Sequence, residues 1–157
     1  MSEKEINIRY HEYSSLDELQ AQDRALAEEA IKAMQGAYAP YSHFHVGAAV
    51  RLSDGTVVRG ANQENAAFPS GLCAERTAMF AAGANYPSKN MEGIAIAGGV
   101  HGRLAKTPAT PCGACRQVMA QYQTKAGKPM SVIMVGDGVI WKFDRVDDIL
   151  PLIFDSI

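Results

Sequence analysis

All three cysteines of this chain lie in two short segments, residues 73–76 (Cys-Ala-Glu-Arg) and residues 111–116 (Pro-Cys-Gly-Ala-Cys-Arg). Three thiolates occupy three corners of a tetrahedral Zn²⁺ site and leave the fourth corner for water or substrate, as catalytic zinc sites do. A lone Cys-x-x-Cys pair would be typical of structural zinc or of a redox pair, but a third cysteine and a nearby carboxylate favour catalysis. The sequence therefore predicts Zn²⁺ on Cys73, Cys112 and Cys115.

Charged side chains accompany the predicted ligands. Glu75 lies two residues after Cys73, where a carboxylate can act as base and proton carrier for a zinc-bound water whose pKa is lowered to about 7. Arg76 and Arg116 directly follow ligands and could donate hydrogen bonds to sulfur, which would offset the negative charge of three thiolates. Either arginine could instead be a solvated helix residue. We expect Glu75 to be the catalytic residue.

Composition limits the class of ligand. The chain has 157 residues, 47% of them hydrophobic, which suits one domain with a sizeable core. Its formal net charge is −2, and no Lys/Arg cluster is longer than two residues. The sequence therefore lacks the electrostatic signature of a nucleic-acid-binding protein, and a free small molecule is the expected ligand.

Cysteine usage and hydropathy predict the compartment. An odd number of cysteines, all in one motif, argues against a disulfide framework and for a reducing environment. Residues 1–5 are Met-Ser-Glu-Lys-Glu, and no apolar run reaches transmembrane length. We therefore expect a cytoplasmic protein that does not bind membranes.

Hydrophobic periodicity and turn signals predict an α/β chain. Residues 5–13 alternate weakly, as a short strand or an ordered arm would. A capping-box pattern at Ser15–Glu18 predicts that the first helix begins there and ends near Ala37. Two further helices are predicted over residues 74–82 and 113–125. Five strands are predicted over residues 46–52, 57–61, 93–100, 131–135 and 139–143.

The order of these elements brings the cysteines together. From residue 57 to residue 135, strands alternate with helices, and right-handed crossovers place each helix start beyond the carboxyl end of the preceding strand. Cys73 begins one of these helices, and Cys112 and Cys115 lie in the first turn of the next. Helix N-termini also lower thiol pKa values, which favours the thiolates that a metal needs. The topology thus supports the metal site independently of the ligand spacing.

A set of ordered motifs resembles the cytidine deaminase family, of the small, homotetrameric, zinc-dependent type. The motifs span residues 22–154 and read Ala39-Pro40-Tyr41-Ser42-His43-Phe44, Gly60-Ala61-Asn62-Gln63-Glu64-Asn65-Ala66-Ala67, Cys73-Ala74-Glu75-Arg76-Thr77-Ala78, Pro111-Cys112-Gly113-Ala114-Cys115-Arg116-Gln117 and Leu150-Pro151 with Phe154. The resemblance implies a three-layer α/β/α sandwich with a mixed five-stranded sheet of strand order 2-1-3-4-5. We expect a single such domain over residues 15–157, preceded by an extension at residues 1–14.

The resemblance also implies substrate contacts. Asn62 and Glu64 would hold the ribose 3′-hydroxyl, and the Ala74 backbone would contact the base. Phe44 and the Phe154 of a neighbouring subunit would pack on the pyrimidine, so that a homotetramer would share its active sites. From the residues alone, Asn62 and Glu64 could instead form a polar loop that closes the second strand, and Phe44 could be a core residue.

The implied reaction is hydrolytic deamination of cytidine and deoxycytidine to uridine and deoxyuridine with release of ammonia, as in pyrimidine salvage. Glu75 would carry the proton of the zinc-bound water to N3 and later help to protonate the leaving amine. Two other functions fit parts of the sequence: a related aminohydrolase that acts on a nucleoside antibiotic or a nucleotide, and a noncatalytic zinc-binding module. Asn62 and Glu64 argue against a nucleotide, because they suit a free ribose and oppose a phosphate.

Overall fold

The computed structural model describes residues 1–155, so the last two residues of the predicted domain lie outside the described residues. In chain order the elements are β1 (His11–Tyr13), α1 (Ala21–Ala33), β2 (Phe44–Leu52), β3 (Val57–Ala61), α2 (Ala74–Asn85), β4 (Met91–Val100), α3 (Gly113–Ala126), β5 (Ser131–Val135) and β6 (Ile140–Phe143). The strands β3 and β5 have the predicted bounds. No helix in residues 1–155 is both long and apolar enough to cross a bilayer.

The sheet has six strands in the order β1-β6-β5-β4-β2-β3, with β4 and β5 parallel and all other neighbours antiparallel. The five predicted strands have the neighbours that the order 2-1-3-4-5 requires. The prediction of a five-stranded sheet is nevertheless wrong, because β1 adds a sixth strand at the β6 edge, with His11 opposite Lys142 and Tyr13 opposite Ile140.

Side chains distant in sequence hold β1 in place. The Trp141 indole N–H donates a hydrogen bond to the Glu12 carboxylate at 2.8 Å, and the Tyr10 ring stacks on Phe143 with 5.2 Å between centroids. The weak alternation of residues 5–13 allows either a short strand or an ordered arm, and a three-residue strand has too few positions for its period to decide between them. Its pairing with β6 therefore depends on contacts that local sequence does not reveal.

The first helix begins later than its capping-box pattern predicts. Leu16–Glu18 forms one 3₁₀ turn, and the extended backbone at Leu19 separates this turn from α1. The Ser15 side chain makes no capping hydrogen bond. The carboxylate of Glu18 accepts a hydrogen bond from the Ser14 N–H at 3.3 Å instead. The predicted helix start at Ser15 is therefore wrong.

Helices cover both faces of the sheet, which gives three layers. Buried residues on the α1 side include Leu26, Ala27, Ala30, Ala49, Ala95 and Ile133. Buried residues on the side of α2 and α3 include Ala48, Val50, Ala78, Met79, Ile96 and Met119. Successive residues of β2 point to opposite cores, because strand side chains alternate between the two faces. The fold is thus an α/β sandwich, and its helix starts carry the cysteines.

Two glycines let the helices lie close to the sheet. A Cβ on Gly47 of β2 would overlap the carbonyl oxygen of Ala30 and the backbone nitrogen of Met34. A Cβ on Gly60 of β3 would lie 2.7 Å from the carbonyl oxygen of Ala74, the first residue of α2. Backbone atoms cannot move aside as a flexible side chain can. These glycines therefore set how closely α1 and α2 approach the strands.

Replacing Gly47 by Ala should lower the free energy of unfolding by about 3 kcal/mol, because overpacking against backbone forces α1 away from the sheet. Urea denaturation of the purified variant measures this loss. Gly113→Ala is the matched control, since a Cβ there meets no atom within 4 Å and Ala favours a helix. An unfolding midpoint for Gly47→Ala equal to that of Gly113→Ala would contradict the packing argument.

Candidate active site

The three cysteine side chains converge at one edge of the sheet, as predicted. Cys73 immediately precedes α2, Cys112 immediately precedes α3, and Cys115 lies in the first turn of α3. The Sγ atoms of Cys73 and Cys112 are 3.9 Å apart, and those of Cys112 and Cys115 are 3.6 Å apart. All three thiols are free.

The sulfur spacing fits a tetrahedral metal. Zn–S bonds of about 2.3 Å place the sulfurs of such a site about 3.8 Å apart, close to both measured separations. Within residues 1–155, no other group of three or more His, Cys, Asp or Glu side chains converges in this way. The donor set is all thiolate, which Zn²⁺ accepts and hard cations such as Mg²⁺ and Ca²⁺ do not.

Hydrogen bonds among these groups separate the pKa values of two thiols. The pKa of Cys73 is lowered to about 5, because its sulfur accepts hydrogen bonds from Cys115 and then from Arg76. The pKa of Cys115 is raised, because its thiol keeps the proton that it donates to the Cys73 sulfur and because its side chain is buried. The arrangement therefore favours the thiolate form of Cys73, and a divalent cation would stabilise thiolates at the other two positions.

The two arginines that follow the ligands have different partners. Nη2 of Arg76 donates to the Cys73 sulfur at 3.6 Å, as predicted. The guanidinium of Arg116 donates to the carbonyl oxygens of Pro111 and Ile149, both at 2.9 Å. Arg116 thus connects the turn before Cys112 to the C-terminal segment, and the hydrogen bond to sulfur that its position suggested is replaced by these two.

Glu75 lies in the first turn of α2 with only 4% of its surface exposed. Burial raises the pKa of its carboxyl, and the nearby charge of Cys73 raises it further. A carboxyl group whose ionised form is disfavoured in this way can hold a proton closer to neutral pH than a solvated glutamate can. Its position beside the sulfur cluster is the one that the sequence predicts for a proton carrier.

A cavity of about 590 Å³ opens beside Cys73. Its lining includes Tyr41, Ser42, Asn62, Glu64, Phe68, Cys73 and Arg76. The rings of Tyr41 and Phe68 meet edge to face, with 5.9 Å between centroids. Cys73 lines this cavity, whereas Cys112, Cys115 and Glu75 do not. The cavity therefore joins the Cys73 side of the sulfur cluster to the residue pair for which the resemblance implies sugar contacts.

Asn62 is tied to the backbone of β2. Its Oδ1 accepts a hydrogen bond from the Val46 N–H at 2.8 Å, and its Nδ2 donates to the Phe44 carbonyl oxygen at 2.9 Å. The amide therefore ties the end of β3 to the start of β2, which is compatible with the alternative that Asn62 belongs to a polar loop closing the second predicted strand, residues 57–61. One N–H and one lone pair of the amide remain, so the same side chain can still contact a ligand.

Glu64 is held by the loop that precedes β2. Its Oε2 accepts hydrogen bonds from the backbone N–H groups of Tyr41 at 2.9 Å and Ser42 at 3.3 Å, and its Oε1 accepts one from the Ser42 hydroxyl. The Ser42 hydroxyl is the largest cause of the lowered pKa of Glu64, followed by the Tyr41 N–H. Sequence reasoning missed this contact, because residues 41 and 42 are far from residue 64 along the chain.

The other predicted substrate contacts occupy different surroundings. Ala74 is fully buried at the first position of α2, where backbone N–H groups have no partner within the helix. The half-buried Phe44 lies over Gly98, where an added Cβ would be 3.1 Å from the ring, and it does not line the cavity. Phe154 is 69% exposed, and its carbonyl oxygen accepts a hydrogen bond from Gln117 at 2.7 Å.

Comparison with known proteins places these residues in a family. The family model described as the cytidine and deoxycytidylate deaminase zinc-binding region matches residues 20–128. The curated cytidine deaminase of Halalkalibacterium halodurans is 52% identical over 96 residues, which is 61% of this chain and 68% of that protein. A curated cytidine deaminase of Sporosarcina psychrophila is 43% identical over 97 residues, 62% of this chain and 67% of that protein.

Solved structures of cytidine deaminases are also similar to this chain. A cytidine deaminase from Burkholderia pseudomallei superposes with a TM-score of 0.71 at 42% identity, over 83% of this chain and 97% of that one. A cytidine deaminase from Mycobacterium tuberculosis gives a TM-score of 0.68 at 31% identity, over 87% and 100%. The matched zinc-binding region includes all three cysteines and Glu75, and the thiolate donor set fits Zn²⁺ as the cofactor. The chain belongs to the cytidine and deoxycytidylate deaminase family.

Proposed function

We propose that this enzyme hydrolyses the exocyclic amine of cytidine and deoxycytidine, so that water and the nucleoside give uridine or deoxyuridine and ammonia. The observation that carries this proposal is one cavity whose lining includes both Cys73 of the sulfur cluster and the Asn62–Glu64 pair. A base bound near the cysteines would have its sugar within reach of that pair. The names of the two curated relatives described above, both cytidine deaminases, support the same reaction.

Glu75 would move the protons in this reaction. When bound to Cys73, Cys112 and Cys115, Zn²⁺ supplies Lewis-acid chemistry that makes water nucleophilic near neutral pH. Glu75 would take one proton from the attacking water and deliver it to N3 of the pyrimidine as the hydroxyl bonds to C4. It would then take the remaining proton of that hydroxyl and pass it to the amine, so that the C4 carbonyl forms, the C4–N bond breaks and ammonia leaves. Its burial and its raised pKa support this role, because both favour a carboxyl group that alternates between protonated and ionised forms.

The charge of the site supports a role for Arg76. Three thiolates carry one more negative charge than Zn²⁺ neutralises. The hydrogen bond from Arg76 to the Cys73 sulfur withdraws part of that charge. Arg116 would act differently, since its two hydrogen bonds to backbone carbonyls orient the turn that presents Cys112.

The remaining hydrogen-bonding capacity of the cavity favours a free sugar hydroxyl. A carboxylate has about four acceptor sites, and three hydrogen bonds already reach Glu64. Asn62 keeps one N–H. A hydroxyl can donate to Glu64 and accept from Asn62, and the 5′-phosphate of a nucleotide in the same cavity would be repelled by an ionised Glu64. We therefore infer that the enzyme acts on nucleosides and that Asn62 and Glu64 bind the 3′-hydroxyl.

Ultraviolet absorbance of purified protein with separate substrates tests this function. We expect cytidine and deoxycytidine to be converted and CMP and dCMP to be poor substrates. Turnover of the nucleotides alone would assign the chain to the deoxycytidylate branch of its family. Conversion of a nucleoside antibiotic such as blasticidin without turnover of cytidine would indicate a different aminohydrolase, and bound zinc without any turnover would indicate a binding module.

The C-terminal segment supports assembly with shared sites. Ile149 is buried, but Leu152 and Phe154 are 81% and 69% exposed, and apolar surface of this kind favours burial against another subunit. We infer a homotetramer in which Phe154 packs on the base in a neighbour's cavity, where the Ala74 backbone would contact the same base. Phe44 packs over Gly98 outside this cavity, so it would share the contact only after its ring turned toward the base. We also infer a cytoplasmic enzyme of pyrimidine salvage. Its single domain would cover residues 15–157, and the preceding segment, residues 1–14, adds the edge strand β1 to the sheet of that domain.

Replacing Phe154 by Ala should raise KM for cytidine several-fold, since an aromatic contact contributes about 0.5–1.5 kcal/mol beyond area burial. Leu152→Ala in the same segment is the control and should change KM less. Steady-state kinetics at full zinc content measure both. Phe154→Ala and Glu75→Ala chains refolded together should regain activity, because some sites would combine the intact Glu75 of one chain with the intact Phe154 of its neighbour. Mixtures that never exceed the average of the two variants would exclude shared sites.

A further inference from the structure

A tight turn holds the Glu64 carboxylate. The His43 N–H donates to the Ala39 carbonyl oxygen at 3.0 Å, and His43 adopts a left-handed backbone conformation with φ of 56°. This turn directs the N–H groups of Tyr41 and Ser42 toward the same oxygen of Glu64. The carboxylate is thus attached to the loop through Oε2 by backbone groups that side-chain substitution does not remove.

The Ser42 hydroxyl makes a second kind of connection. It donates to Oε1, the other oxygen of Glu64, and it accepts a hydrogen bond from the Phe44 N–H at 3.0 Å. The carbonyl oxygen of the same Phe44 residue accepts a hydrogen bond from Nδ2 of Asn62 at 2.9 Å. A continuous series of hydrogen bonds therefore runs from Glu64 through Ser42 and the Phe44 backbone to Asn62.

We propose that Ser42 is a positioning residue that fixes the orientation of Glu64 relative to Asn62 and thereby determines how strongly the enzyme selects a substrate with a free 3′-hydroxyl. This inference rests on the proposed sugar contacts of Asn62 and Glu64. Ser42 itself needs no contact with the substrate. It acts by holding Oε1 so that the remaining acceptor site of Glu64 faces the free N–H of Asn62.

The geometry predicts what loss of the hydroxyl does. Without it, two backbone N–H groups still hold Oε2, but Oε1 loses its donor and the carboxylate can rotate about Oε2. Asn62 keeps both of its hydrogen bonds to β2. Ser42 is exposed, so its replacement leaves no cavity in the core. The change should therefore affect recognition of the hydroxyl and leave the fold and the sulfur cluster unchanged.

The test compares cytidine with 3′-deoxycytidine in the zinc-loaded enzyme. Ser42→Ala should lower kcat/KM for cytidine about ten-fold, the scale of one hydrogen bond to a charged group. The value for 3′-deoxycytidine should change less than about two-fold, because that substrate makes no use of the oriented pair. Ser42→Thr keeps the hydroxyl and should retain the preference for cytidine over 3′-deoxycytidine. Ser42→Val has nearly the shape of the Thr variant but no hydroxyl, and it should lose this preference. Ser131→Ala, at the opposite end of the sheet, should match the wild type.

Two results would overturn the inference, and only the second would also overturn the proposed sugar contacts of Asn62 and Glu64. If Ser42→Ala and Ser42→Val lower kcat/KM equally for both substrates, Ser42 supports the loop in general, and the sugar contacts of Asn62 and Glu64 stand without it. If the wild type itself does not distinguish cytidine from 3′-deoxycytidine, those sugar contacts fail and the role of Ser42 fails with them. Zinc content and circular dichroism of each variant identify any loss that comes from misfolding.

Discussion

Glu75→Gln should lower kcat for cytidine at least about 10²-fold, and by up to about 10⁴-fold, while zinc and fold are retained. General acid–base catalysis contributes this much, and Gln keeps the size of Glu but cannot carry a proton. Glu75 is buried, so the isosteric change avoids the cavity that Ala would leave. The effect should fall on kcat more than on KM, because the protons move in the transition state.

Steady-state kinetics with zinc analysis of the same sample measure this effect. The matched control is Glu92→Gln, a carboxylate at the start of β4 that pairs with Lys128 far from the sulfur cluster. This control should keep wild-type turnover, since exposed ion pairs contribute little. Near wild-type kcat in Glu75→Gln at full zinc content would remove Glu75 from the mechanism.

The second large effect concerns the substrate. 3′-Deoxycytidine should have kcat/KM at least about 10²-fold below that of cytidine, because under the proposed sugar contacts its absent hydroxyl leaves one N–H of Asn62 and one acceptor site of Glu64 without a partner. Sites built around a hydroxyl can reject its absence by about 10⁴-fold. The smaller figure applies here because Glu64 is only partly buried in the single chain, and water can replace part of the lost contact.

2′-Deoxycytidine provides the matched control for that comparison, since it lacks a different hydroxyl of the same ring. It should remain a good substrate. Equal kcat/KM for all three nucleosides would mean that Asn62 only closes β2 and that Glu64 only orders the loop before it. An Asn62→Ala variant would then lose stability without any change in substrate preference.

Local signals in the sequence were sufficient for most strands and for the metal site. The Asp54-Gly55 turn and the apolar runs around it predict β2 and β3, and Gly55 has the positive φ that such a turn needs. The cysteines converge because crossover topology places successive helix starts at one edge of the sheet. Both inferences use information that lies within a few residues or follows from element order.

The failures come from contacts between distant residues. The edge strand β1 depends on Trp141 and Phe143, far along the chain from residues 10–12. Arg76 and Arg116 have similar positions after a cysteine, yet only Arg76 reaches sulfur, because Arg116 lies beside Pro111 and Ile149. No local pattern distinguishes the two arginines.

The contact of Ser42 with Glu64 illustrates the same limit within the site. The motif around Ser42 contributes to the family resemblance, but the hydrogen bond to Glu64 spans 22 residues. It requires the left-handed turn at His43 and the pairing of β2 with β3 together. Asn62 differs from Ser42 in that its two interpretations, structural and functional, are compatible. Its side chain makes two hydrogen bonds to β2 and keeps one N–H that can contact a substrate.

Metal content measured together with cytidine turnover tests whether the sulfur cluster is a catalytic zinc site. The purified protein should contain about one zinc per chain and should convert cytidine to uridine. Removal of the metal by a chelator should abolish conversion, and addition of Zn²⁺ should restore it, since the three thiolates bind the ion that activates water. Full cytidine turnover by the metal-free protein, or no turnover at full zinc content, would contradict the assignment.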